Sequence, residues 1–174
     1  YFTYFGALPA LLLFVPFKVL TGHDLRTDYA VAFFAVAFAI ASIYLMVQLL
    51  RRFFPKRSFG FLVLSHLVML MSSGVLIQVY LPQIYSLPML SSLCFTCLGL
   101  GLWLQARTTQ DALSETPYLR KSLLILGAVC IALNLWCRPQ FILASLFAFV
   151  IFKEEIVKYR LFFAFKRSSV INTI

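Results

Sequence analysis

KSLLILGAVCIALNLWCRPQFILASLFAFVIF, residues 121–152, decides the topology of this chain. It is apolar almost throughout, yet Arg138 stands near its middle and Pro139 follows at once. As one straight helix it would measure roughly 48 Å, against a hydrocarbon core of roughly 30 Å. Proline removes one bond of the helix ladder and clashes with the preceding turn. Pro139 therefore divides the run into Lys121–Cys137 and Pro139–Phe152, roughly 25 Å and 21 Å long. The outer flanks carry Arg120, Lys121 and Lys153, so both should face the cytosol. The reading is a hairpin of two short helices with its apex at CRPQ, residues 137–140, on the far side. Non-helical backbone at that depth survives only beside protein or a water-filled cavity. Arg138 then either snorkels to the interface or holds an anionic head group in an outward-facing cavity. Asn134, one turn earlier, shares its helix face and is read as helping to satisfy it.

The rest of the composition fits this environment. The chain has 174 residues, of which 62% are hydrophobic and only 12% charged, with a mean hydropathy of +0.93. Such values exclude an ordinary soluble domain and indicate an all-α, polytopic transmembrane helical bundle. The expected architecture is one membrane domain with about five spanning or half-spanning helices and an N-terminal juxtamembrane helix. The net charge of +9 does not indicate a nucleic-acid partner. All 15 Lys and Arg except Lys18, Arg26 and Arg138 cluster in residues 51–57, 107–121 and 153–167, flanking apolar segments. That is a positive-inside pattern.

Further spans are expected at residues 29–50, 59–80 and 86–106. The first is alanine-rich, with small residues four apart at Ala35/Ala39 and Ala37/Ala41, a spacing that favours close helix packing. Gly99 and Gly101 mark close contacts in the third. Residues 51–58 and 107–120 are expected to be cytosolic loops, and residues 81–88 an outer loop with Tyr80 and Tyr85 at the interface. Residues 1–20 read as a juxtamembrane helix on the outer side. Residues 153–174 read as a cytosolic interfacial segment whose basic and aromatic residues meet anionic lipid.

Chemistry is sparse. The six acids, Asp24, Asp28, Asp111, Glu115, Glu154 and Glu155, fall in loops or at helix ends, which argues against a proton- or sodium-coupled path through these residues. There is no phosphate-binding loop and no metal-ligand motif, so neither cofactor nor metal is expected. The Cys94–Cys97 pair and His66 lie within apolar segments and read as packing residues. On the outer side, His23, Asp24, Arg26 and Asp28 form a polar loop in which Asp28 is expected to cap the next helix. His23 and Asp24 are also candidates for acid–base work or substrate contact. Tyr85 and Gln83 are expected on the same side as Arg138, Gln140 and Asn134.

YFTYFGALPALLLFVPFKVLTG, residues 1–22, and CRPQFILASLFAF, residues 137–149, resemble bacterial polytopic glycosyltransferases of the GT-C superfamily, in particular family 39 or mannosyltransferase-like membrane proteins. The shared features are a Tyr/Gly/Pro-rich stretch with Tyr4, Gly6 and Pro9, and the Arg138–Pro139–Gln140 turn. The resemblance implies inverting sugar transfer from a polyprenyl-phosphate sugar on the outer face of the inner, or plasma, membrane. By it, Arg138 contacts the lipid-linked phosphate, with Gln140, Asn134, Tyr85, His23 and Asp24 as candidate substrate-binding residues. The family's catalytic carboxylate lies in a first outer loop upstream of the Tyr/Gly/Pro stretch. The chain therefore reads as a fragment lacking that loop, and no catalytic residue is assigned within it. A lipid-phosphate transporter or flippase-like module and a non-catalytic scaffold are the alternatives. Oligomeric state is not legible.

The charge pattern makes a topological prediction. Single cysteines at Ser58 or Thr108, in a background without the native cysteines, should resist an impermeant thiol reagent applied to intact cells. Labelling from outside would reverse the assignment.

Overall fold

A computed structural model describes residues 7–56, 58–83, 85–106, 120–153 and 156–157. Tyr4, Gly6, Arg57, the loop at 107–119 and nearly all of the 153–174 segment lie outside the described residues. Those described are almost entirely helical, without strands. Helix α1 is Ala7–Thr21, α2 is Thr27–Phe53, α3 is Phe59–Ser72 and α4 is Val75–Tyr80. Helix α5 is Ser86–Ala106, α6 is Lys121–Cys137 and α7 is Pro139–Ile151. Two of them, α2 and α5, are long and apolar enough to cross a bilayer.

Local chemistry explains the boundaries. Asp28 in the first turn of α2 and Arg51 and Arg52 in its last turn complement the helix dipole. Asp28 does not cap α2, however: Arg26 is the N-cap, with no side-chain cap bond, and the Asp28 carboxylate is bound by the Arg26 guanidinium instead. The Ser58 hydroxyl caps α3 by accepting from the Phe61 N–H at 3.3 Å. The span expected at residues 59–80 is two helices, because Gly74 adopts φ +68°, where a side chain would be strained. Ser72 and Ser73 donate to Met69 and Leu70 carbonyls at this break, diverting acceptors from the ladder. Arg138 is extended, at φ −146° and ψ 109°, and separates α6 from α7. The segment after it differs from the expected α-helix: Pro139–Leu146 is 3₁₀, and only Phe147–Ile151 is α. In α1, residues Ala10–Phe14 form a π-helical turn just before Pro16, which has no N–H to donate.

Helix α5 is the centre, packing against α2 on one side and α6 on the other. Against α2 it presents Leu90, Cys94, Cys97 and Leu104, which meet Val31, Phe34, Phe38, Ala41 and Leu45. Gly101 faces Tyr44, whose hydroxyl donates to Gln105 Oε1, so the late parts of both helices meet and the two run parallel. Helix α6 is antiparallel to α5. Its start accepts from Trp103 Nε1 at the Leu124 carbonyl, at 3.2 Å, and its end brings Asn134 to Thr96. Trp103 also meets Phe152 edge-on at 6.1 Å, so α7 returns toward the level at which α6 begins. The Arg120 N–H donates to the Ala106 carbonyl at 3.1 Å, closing the excursion between α5 and α6.

This connectivity gathers Arg51, Arg52, Arg120, Lys121 and Lys153 at one end. The outward faces stay apolar: Phe33, Val36, Ile40 and Ile43 form an exposed stripe on α2, and Ile125, Leu126 and Val129 do so on α6. The interior combines apolar side chains such as Phe34, Phe38 and Leu90 with small or polar ones, among them Gly99, Gly127, Ser91, Ser92 and Asn134. Exposed apolar surface of this extent is unusual for a monomer in water.

The tightest point is between α5 and α6. A Cβ added at Gly127 would lie 2.5 Å from Trp103 Cδ1 and 2.9 Å from the Gly99 carbonyl oxygen, and one added at Gly99 would lie 3.0 Å from the Gly127 carbonyl oxygen. Gly127→Val should therefore cost about 1–3 kcal/mol by overpacking. Gly60→Ala, where a Cβ meets nothing within 4 Å, should be neutral or stabilising by up to about 1 kcal/mol. Unfolding of both variants in mixed micelles checks the contrast.

Candidate functional site

Besides the Trp103–Leu124 bond at the basic end, the α5–α6 contact carries polar side chains toward its opposite end. Asn134 is 0% exposed, and its Nδ2 donates to Thr96 Oγ1 at 3.0 Å. Its Oδ1 is buried without a partner. One turn on, Cys137 lies beside the Ser91 and Ser92 hydroxyls, both of which donate to the Pro88 carbonyl. The Arg138 N–H donates to the Asn134 carbonyl at 2.7 Å, and its own carbonyl accepts from the Phe141 N–H at 3.0 Å. The backbone at the apex is thus tied on both sides of the break. The Arg138 side chain is half-buried, and its Nε is buried without a hydrogen-bond partner.

Asn134 does not satisfy Arg138 through its side chain, contrary to the sequence expectation. Its Nδ2 goes to Thr96 across the helix interface and its Oδ1 is left unpartnered, because Arg138 leaves the helix in an extended conformation. Gln140 is exposed in the first turn of the 3₁₀ segment. Tyr85 is exposed just before α5, and the Gln83 N–H is received by Ser86 Oγ at 3.1 Å. The antiparallel fit of α6 on α5 puts this turn at the same end as Arg138.

His23 and Asp24 are exposed, in the turn after α1 that Gly22 opens with φ +73°. Asp24 is held by Lys18 at 2.9 Å and Asp28 by Arg26 at 2.7 Å. The Lys18 ammonium bonded to Asp24 holds that carboxyl below its ordinary range, and Asp24 raises Lys18 in return. Asp24 therefore stays ionised near neutrality, and each carboxylate is occupied by its own loop's cation. Neither pairs with Arg138.

Thr96, Ser91 and Ser92 were not singled out from sequence. Their signal is that they are hydroxyls in an otherwise apolar helix. Cys94 and Cys97 pack in the core against α2, and His66 is half-buried on α3 with Nδ1 unpaired. Among the described residues no group of three His, Cys, Asp or Glu side chains comes together as a metal site. No protein-family model, curated protein or solved structure matches this chain.

The Asn134–Thr96 bond should be measurable. A double-mutant cycle with Asn134→Leu and Thr96→Val is expected to give a coupling of about 0.6–1.7 kcal/mol, the range for hydrogen bonds between membrane helices. Coupling near zero would mean that the two residues do not act as a pair.

Proposed function

We propose that this chain is part of a multi-pass inner-membrane glycosyltransferase, and that its outer apex receives the phosphate of a polyprenyl-phosphate-linked sugar. The observation that carries the reading is Arg138. A guanidinium with an unpartnered, buried Nε sits at a helix break, far from the basic belt and without an ion pair among the described residues. Placing a permanent charge there is costly unless an anion or water meets it. Arginine's planar fork matches phosphate oxygens in two-point contact. A fixed cation there would also stabilise the negative charge that builds on a departing lipid phosphate. Multi-pass insertion is supported by the apolar outward faces and by the basic residues gathered at one end.

The binding step rests on the apex. The transfer step rests on the likeness of residues 1–22 and 137–149 to GT-C enzymes. Gln140, Tyr85, His23 and Asp24 remain the proposed substrate contacts, and Asn134 acts by holding the end of α6 against α5.

Binding of a polyprenyl phosphate to the membrane-extracted protein tests the first step. Arg138→Ala should weaken it about 10- to 100-fold, matching the roughly 1.5–3 kcal/mol of a charged hydrogen bond, with helicity and expression unchanged. Arg138→Lys should fall between. Unchanged affinity in Arg138→Ala would return the residue to a snorkelling turn. Sugar released from a polyprenyl-phosphate donor, measured separately, distinguishes transfer from binding alone.

A further inference from the structure

At the opposite end of the bundle, α2 and α3 are joined by the basic turn RRFFPKRS, residues 51–58. A cavity of about 280 Å³ opens there, lined by Pro55, Ser58, Phe59 and Leu62. Phe59 and Leu62 give it apolar side chains and Ser58 a hydroxyl, and more of its open surface is polar than apolar. That hydroxyl accepts from the Phe61 N–H, which leaves its own proton free to donate. Arg51 and Lys56 are exposed on the same turn. No carboxylate occurs in the sequence between Asp28 and Asp111, so none can pair with them locally. The described acids, Asp24 and Asp28, are engaged at the other end. Among the described residues the turn therefore combines positive charge without an acid beside it, one hydroxyl donor and a recess edged by Phe59 and Leu62.

We infer that the α2–α3 turn seats one anionic phospholipid, with Arg51, Lys56 and the Ser58 hydroxyl at its phosphate and the acyl–glycerol part against Phe59 and Leu62. Charge complementarity selects the occupant. A zwitterionic lipid brings its own cation toward Arg51 and Lys56, whereas an anionic lipid brings none. A soluble phosphate would meet the same charges but leave the recess empty. Near a membrane surface each basic residue contributes on the order of 1 kcal/mol toward anionic lipid, and a recess converts that diffuse attraction into a held molecule. This site rests on the membrane-embedded reading above but not on Arg138 or on sugar transfer.

The test uses the whole purified chain in detergent with equal amounts of phosphatidylglycerol and phosphatidylcholine of identical acyl chains. Lipid retained by the protein is read by native mass spectrometry. One phosphatidylglycerol should be held about 10- to 30-fold in preference. The preference should vanish in Arg51→Gln/Lys56→Gln and persist in Arg51→Lys/Lys56→Arg. It should also persist in Lys18→Gln, which removes a cation from the opposite end. Millimolar glycerol phosphate should not displace the lipid. Equal retention of the two lipids by the unaltered chain would overturn the seat without need of any variant, as would full displacement by glycerol phosphate. A chain that stays monodisperse without detergent would instead remove the membrane reading itself.

Discussion

The structure depends on how closely α5 can approach its two neighbours. Hydrophobic burial gives little reason for helices to associate in lipid, where every side chain already has apolar company. Association then relies on dispersion contacts, which fall away within an ångström of separation. Gly99 and Gly127 bring α5 and α6 close enough for each to lie against the other's carbonyl oxygen, and Gly101 lets the Tyr44 ring lie on α5. Trp103 fills the space over Gly127 and anchors its indole N–H on the Leu124 carbonyl. From those contacts follow the level of Arg120 beside Ala106 and the position of the Arg138 break at the far end of the pair.

The two ends differ in chemistry because of this packing. One collects Arg51, Arg52, Arg120, Lys121 and Lys153 without a local acid on the α2–α3 turn. The other carries exposed pairs, Lys18 with Asp24 and Arg26 with Asp28, and the isolated Arg138. Exposed pairs of that kind are screened by water and contribute little to stability, so they organise the loop more than they hold the fold. Arg138 differs because part of its guanidinium is inside. A charge that is partly desolvated and unpaired creates the demand for an anion on which the proposed function turns.

Polar groups inside the bundle are few and mostly satisfied within their own helices, as Ser91 and Ser92 are at Pro88. Tyr44 with Gln105, Trp103 with the Leu124 carbonyl and Asn134 with Thr96 cross between helices, and Asn134 is the most deeply buried of these side chains. Its unpartnered Oδ1 and the unpartnered Arg138 Nε lie one turn apart, so α6 carries its least satisfied groups where it ends. Helix α6 is buried at Gly127, Ile131, Asn134 and Cys137, so its packing runs up to the break. The break at Pro139 is therefore seated on a helix firmly held below it.

Residue types alone determined the helical class, the end of α6 at Cys137, the bounds of α5 and the clustering of basic residues, because proline, charge and unbroken apolar length act locally. The small-residue contacts at Gly99 and Gly101 were legible for the same reason. The break at Gly74 had its signal in Ser72–Ser73–Gly74, but glycine is common in apolar helices and only the observed positive φ distinguishes a turn from a tolerated residue. The 3₁₀ form of Pro139–Leu146, the Thr96 partner of Asn134 and the Arg26 partner of Asp28 were decided by tertiary and loop geometry. Which face of each helix is inside was hidden for a general reason. When the surroundings are as apolar as the core, hydrophobic periodicity carries no direction, and only the fit of one helix surface against another chooses the buried side.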